Sequence, residues 1–168
     1  MFRLETEVDK ERRILLGRRL HEDNGNASAG LRALRSTSAE HEVPLEVWLL
    51  DGQGALAGGL SGRTWAHWLH VDLLWVDARH RGLGLGARLL AEAERLARDD
   101  RACTRSRLET WDFQAPGFYR KQGYEVAGEI EDYPPGVAEF ILVKRLTPAG
   151  LPPKAPRGRL LGRRNRPK

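Results

Sequence analysis

The chain has 168 residues, one cysteine and a formal net charge of +5, from 28 Lys and Arg against 23 Asp and Glu. One domain accounts for that length, and a single thiol excludes an internal disulfide framework and a Cys-based zinc site. No apolar run is long enough to span a bilayer, and the charged residues 1–19 lack the apolar core of a secretory signal, so a cytoplasmic protein without membrane or metal partners is expected.

Residues 2–8 alternate weakly and predict a first strand. Residues 9–22 place Ile14, Leu15, Leu16 and Leu20 among charges, the spacing of a helix with one apolar stripe. Residues 23–30, rich in Asn, Gly and Ser, read as a loop, and residues 31–42 fit either a short helix or an ordered loop. Residues 45–50 make a second strand, Asp51-Gly52-Gln53-Gly54 a hairpin turn, and residues 55–63 the third strand. Gly58, Gly59 and Gly62 in that third strand mark close approach of another backbone. Residues 68–76, WLHVDLLWV, form the fourth strand, apolar on both faces toward its end and therefore central. A glycine-rich turn leads into a helix over 85–98 that buries Leu89, Leu90, Ala93, Leu96 and Ala97. Residues 106–111 are a fifth strand and 116–122 a short helix. The last two strands, 124–130 and 137–145, flank a turn at 132–136, which completes an α/β protein with a mixed sheet.

The basic excess is local. Residues 147–168 hold seven Lys or Arg and no acid, which leaves 21 basic and 23 acidic residues in 1–146. We therefore divide the chain into a folded domain, 1–146, and a Pro/Gly/Arg-rich tail, 147–168, too poor in apolar residues to offset the entropy of ordering. The tail is either a solvated terminus or an arm for a polyanion, the one route by which nucleic acid would bind.

The turn after the fourth strand carries the chemistry. Gly82, Gly84 and Gly86 alternate between a buried strand and an amphipathic helix. Without Cβ atoms, their N–H groups can converge on one small volume. The first helical turn adds unpaired donors and the positive end of the dipole. Such a turn either cradles a pyrophosphate or is simply tight. The spacing departs from the G-x-G-x-x-G of dinucleotide folds, and no Gly-Lys-Ser/Thr of a nucleotide phosphate loop is present.

Arg81-Gly82-Leu83-Gly84-Leu85-Gly86 fits the acyl-CoA signature Arg/Gln-x-x-Gly-x-Gly/Ala, and Ala115-Pro116-Gly117-Phe118-Tyr119 leads into Gly123-Tyr124 as in A-x-x-F/L-Y-x-x-x-G-F/Y. On these motifs, residues 2–146 resemble the GCN5-related N-acetyltransferase (GNAT) superfamily, in a bacterial branch of unassigned substrate. The resemblance implies a mostly antiparallel sheet, splayed between its fourth and fifth strands and flanked by helices. It implies acetyl-CoA as cosubstrate, with the pantetheine arm along Leu74, Trp75 and Val76. The pyrophosphate would lie on Gly82, Leu83, Gly84, Leu85, Gly86 and Ala87, with the Arg81 guanidinium beside it.

The resemblance also implies site chemistry. Tyr119 matches the family's proton donor to the departing thiolate, while Phe118 and Tyr124 pack. Relatives often hold an Asn seven residues earlier, where this chain has Asp112. An acceptor amine must lose a proton before attack, and His70 and Asp72 lie where relatives carry the base. His70 has a suitable ordinary pKa. Asp72 would orient His70, bind a cationic substrate or act as base, and Glu109 and Asp112 are weaker alternatives. Trp65 and Trp68 either clamp the acceptor or pack. Cys103 has no histidine near it in sequence and is not expected to carry acyl groups; His21, His41 and His67 read as surface residues.

The expected function is direct transfer of an acetyl group from acetyl-CoA to a primary amine of a small molecule. The alternatives are a non-catalytic acyl-CoA sensor and an acetyltransferase of a protein amine. The resemblance also admits a homodimer.

Overall fold

The computed structural model describes residues 3–146. The tail expectation for 147–168 lies outside the described residues. The elements in chain order are α1 (Lys10–Ala27), α2 (Ala29–Leu34), β1 (Val43–Leu50), β2 (Leu56–Trp65), β3 (Trp68–Val76), α3 (Leu85–Arg101), β4 (Arg105–Trp111), α4 (Pro116–Lys121), β5 (Glu125–Ile130) and β6 (Glu139–Arg145). They build one six-stranded sheet in the order β1-β2-β3-β4-β6-β5. All neighbours are antiparallel except β3 and β4, which α3 connects in parallel.

The first strand expected at 2–8 is not formed over the described residues 3–8. Leu4 and Val8, which would have been its inward side chains, are fully exposed. Arg3 and Arg12 instead pair with Glu5. Strand numbers therefore fall by one, and the expected splay between the fourth and fifth strands lies between β3 and β4. The loop expected at 23–30 is also corrected. Asp9 caps α1 by accepting from the Arg12 N–H at 2.9 Å, and the helix runs on through Asn24-Gly25-Asn26 until Ser28 starts α2. The apolar stripe of α1 stays in solvent, because its main packing neighbour is the short α2.

Beneath the sheet, α3 lies against β1, β2 and β3. Leu89, Leu90, Ala93 and Ala97 of α3 meet Leu45, Leu60, Leu69, Val71, Leu108 and Leu142 of the strands. Burying a leucine side chain contributes about 1.5–3 kcal/mol, so this cluster holds α3 against the sheet. Across that interface, Glu94 of α3 pairs with Lys144 of β6 at 2.5 Å. Between β2 and β3, Ala66 and His67 both take left-handed backbone angles, φ 50° and 62°, as a two-residue hairpin requires. No helix among the described residues is long and apolar enough to cross a membrane.

Candidate active site

The site begins where β3 and β4 part. They pair only from Trp68 to Val71 on β3 and Arg105 to Leu108 on β4. Beyond that, β3 continues with β2 and β4 with β6, which leaves a fork between Asp72–Val76 and Glu109–Trp111. Asp72 stands at the fork. In the β2 register Gly62 faces Val71 and Ser61 faces Leu73, so Asp72 is an inserted bulge residue. A bulge bends its strand and sharpens the twist, which carries β3 away from β4. Gly62 makes the bulge possible, since a Cβ there would lie 2.2 Å from the His70 carbonyl oxygen. A Cβ at Gly58 would likewise meet backbone, 2.9 Å from the Trp75 oxygen, whereas one at Gly59 would meet the Trp48 ring.

The bulge also reverses the phase of β3. By simple alternation Leu74 and Val76 would share a face with His70. In the observed register Leu73 and Trp75 take that face instead, at 68% and 47% exposure, and Leu74 and Val76 pack toward the core. Leu74, Trp75 and Val76 therefore offer the fork their backbone.

Past β3, Asp77 accepts from the Arg79 N–H at 2.9 Å and opens a single 3₁₀ turn, Ala78–His80. The Arg79 guanidinium also holds the Asp77 carboxyl far below the usual carboxylate range. Gly82 and Gly84 have φ of 80° and 73°, a region costly for residues with a Cβ. Gly84 is the α3 N-cap, and no side chain caps the helix or brings an acid to its first turn. A Cβ at Gly82 or Gly84 would meet no atom within 4 Å, so the space above the turn is open. Leu85, Gly86 and Ala87 therefore present uncapped N–H groups to an open surface, and Leu83 lies exposed at the apex. These residues fit the pyrophosphate of acetyl-CoA. Arg81 Nε donates to the Val76 carbonyl at 3.0 Å, tying the turn to the end of β3.

On the opposite wall, α4 holds Phe118 against Gly86 and the Tyr119 ring edge-on to both Phe118 and Tyr124. Burial pushes the Tyr119 phenol up, so it stays protonated at neutral pH and can donate. Tyr124 is buried and exchanges a 2.7 Å hydrogen bond with Ser106. It packs, as expected. Trp111, at the β4 side of the fork, stacks on Phe113, and its indole Nε1 is buried without a partner.

His70 is half-buried on the face away from α3. Burial lowers its proton affinity first, followed by the charges of Arg63 and then Arg107, while Asp72 and Glu42 oppose them. Asp72 is near but does not hydrogen-bond the imidazole. Its carboxylate accepts twice from Arg63 Nη1, at 2.5 and 2.6 Å, and Arg63 Nε reaches Glu42 at 3.1 Å. Glu109 is held by Arg107, and Asp112 accepts from the Ala138 N–H at 3.3 Å. Asp72, Glu109 and Asp112 are thus each engaged within the chain. Arg63, Arg107 and Glu42 escaped sequence reasoning, because strand pairing across the sheet, and not local sequence, brings the two arginines beside His70.

Other side chains have partners within the chain. Trp65 donates to the Glu40 carbonyl at 3.1 Å, and Arg105 lies over the Trp68 ring at 5.4 Å. Cys103 is buried, and burial raises its thiol, which disfavours an acyl-carrier role. His67 approaches the Ala102 carbonyl at 3.1 Å. No cluster suited to a metal ion occurs among the described residues.

Comparison with known proteins gives the family and the fold. The profile of the Acetyltransferase (GNAT) family matches residues 15–124. The blasticidin-S acetyltransferase of Streptomyces morookaense is 53% identical over 131 residues, 76% of this chain and 96% of that protein. An acetyltransferase of Agrobacterium fabrum is 33% identical over 101 residues, 60% of this chain and 73% of its own. Among solved structures, an acetyltransferase from Bacillus cereus superposes with a TM-score of 0.73 at 28% identity, covering 86% of this chain and 98% of the other. The chain belongs to the GNAT acetyltransferase family and is an N-acetyltransferase that uses acetyl-CoA.

Proposed function

We propose that the acceptor is the primary amine of a small molecule of the antibiotic class, on the strength of the relative that carries blasticidin S in its name. The observation that carries the site assignment is the fork itself. One bulge residue opens β3 from β4 beside His70, and the opened strand runs straight into the uncapped N-terminus of α3.

Acetyl-CoA supplies the thioester. The exposed β3 backbone at Leu74, Trp75 and Val76 holds the pantetheine arm, and Gly82 through Ala87 hold the pyrophosphate. His70, neutral at pH 7, takes the proton of the acceptor's ammonium group directly or through water. The freed nitrogen attacks the thioester carbonyl, which the β3 N–H groups polarise. The C–S bond breaks, the Tyr119 hydroxyl gives its proton to the sulfur that leaves, and the second proton that the nitrogen sheds as the amide forms restores the phenol. Asp72 serves as the bulge residue bound by Arg63 and is not assigned the proton transfer.

Free-thiol release from acetyl-CoA, with blasticidin S, a polyamine and a peptide with a free N-terminus as acceptors, tests the acceptor class. Turnover with a small amine and none with the peptide supports the reading. Turnover with the peptide alone overturns it.

A further inference from the structure

On the sheet face away from α3, His70 sits between two arginines. The register pairs it with Arg63 on β2 and with Arg107 on β4. Each arginine is anchored by carboxylates: Arg63 by Asp72 on β3 and by Glu42 just ahead of β1, Arg107 by Glu109 on β4. Arg63, Arg107, Asp72 and Glu42 are the charged groups that act on the imidazole. A carboxylate hydrogen-bonded to a histidine holds a proton on it. Here Asp72 spends both its oxygens on Arg63 instead.

We propose that Arg63 and Arg107 are positioning residues for acetyl transfer: fixed on either side of His70 by their carboxylates, the two cations keep the imidazole unprotonated and ready to receive the acceptor's proton. This rests on the assignment of His70 as base. The step balances simply. One N–H bond of the acceptor's ammonium breaks, its electron pair stays on the nitrogen that attacks, and the proton bonds to the imidazole. Once the product has left, the same two cations drive that proton out to water. Burial of His70 acts first and in the same direction, and Arg63 and Arg107 outweigh the opposing Asp72 and Glu42.

The experiment is an NMR titration of the histidine ring protons in the full chain, with His70→Gln used to assign the His70 signal. The wild-type His70 midpoint is expected below the ordinary value of about 6.5. Arg63→Met and Arg107→Met should each raise it by about half a pH unit or more, since each also frees a carboxylate. Arg63→Lys, which keeps the charge, should leave it low. The acid limb of kcat/KM should follow the same midpoints. A wild-type midpoint at or above the ordinary value, or one that neither methionine variant moves, overturns the proposal. If the midpoints behave as expected but His70→Gln acetylates at the wild-type rate, it is the base assignment beneath the proposal that fails.

Discussion

Gly62→Ala is the substitution in which the whole geometry of the fork is at stake. The added Cβ would lie 2.2 Å from the His70 carbonyl oxygen and 3.2 Å from the Val71 Cα, both backbone atoms of the neighbouring strand. Restoring ordinary contact would need β2 and β3 to part by about 1 Å, where backbone hydrogen bonds and the Leu60–Leu69 core hold them. Overpacking of this kind costs about 1–3 kcal/mol, and more where the obstacle is backbone. For a domain of this size, each kcal/mol lowers Tm by about 2–4 °C, so a drop of about 5–10 °C is expected. The same strain falls on His70 and on the bulge, so kcat should drop in the fraction that remains folded. Thermal denaturation by circular dichroism, with free-thiol release measured well below the new midpoint, reads both effects. A variant with wild-type Tm and wild-type kcat would refute the placement of the bulge.

Two further outcomes follow from the same structure. Gly84→Ala meets no neighbour within 4 Å but must adopt φ of 73° at the α3 N-cap. It should lose about 1–2 kcal/mol in stability and weaken acetyl-CoA binding measured by calorimetry; unchanged affinity would remove the turn from the cofactor site. Lys144→Met would leave the Glu94 carboxylate, 9% exposed, without its cation, and breaking such a pair costs about 3–5 kcal/mol. Urea denaturation should show that loss, and Glu94→Gln combined with Lys144→Met should recover most of it.

Much of this was written in local sequence. WLHVDLLWV and the Leu89-Leu90-Ala93-Ala97 spacing specified a central strand and its covering helix. Three alternating glycines between them had few physical uses. What stayed hidden depends on contacts far apart in the chain. Nothing local says that Gly62 admits the His70 carbonyl, or that Asp72 is therefore the bulge and Leu73 and Trp75 turn outward. Counting by twos along residues 70–76 gave the wrong face for the second half of the strand. The arginine pair around His70 was invisible for the same reason, since Arg63 and Arg107 are its neighbours only through the register. The first strand failed in the opposite way. Residues 2–8 have an alternating pattern, but local alternation forms no strand without a sheet edge to receive it. At 23–27 the helix ran through a loop-like composition, because α1 continues to Ser28, whose hydroxyl accepts from the Leu31 N–H at 3.2 Å to cap α2.

The most direct test of direct transfer at the fork compares kcat for wild type, His70→Gln and Tyr119→Phe, with saturating acetyl-CoA and blasticidin S. A positioned acid or base contributes about 10²–10⁴-fold to rate. Both variants should therefore lose at least about a hundredfold in kcat, with little change in KM for acetyl-CoA, whose binding we propose for the turn and the β3 backbone. Wild-type kcat in either variant would contradict the role assigned to that residue, and wild-type kcat in both would move the chemistry away from the fork.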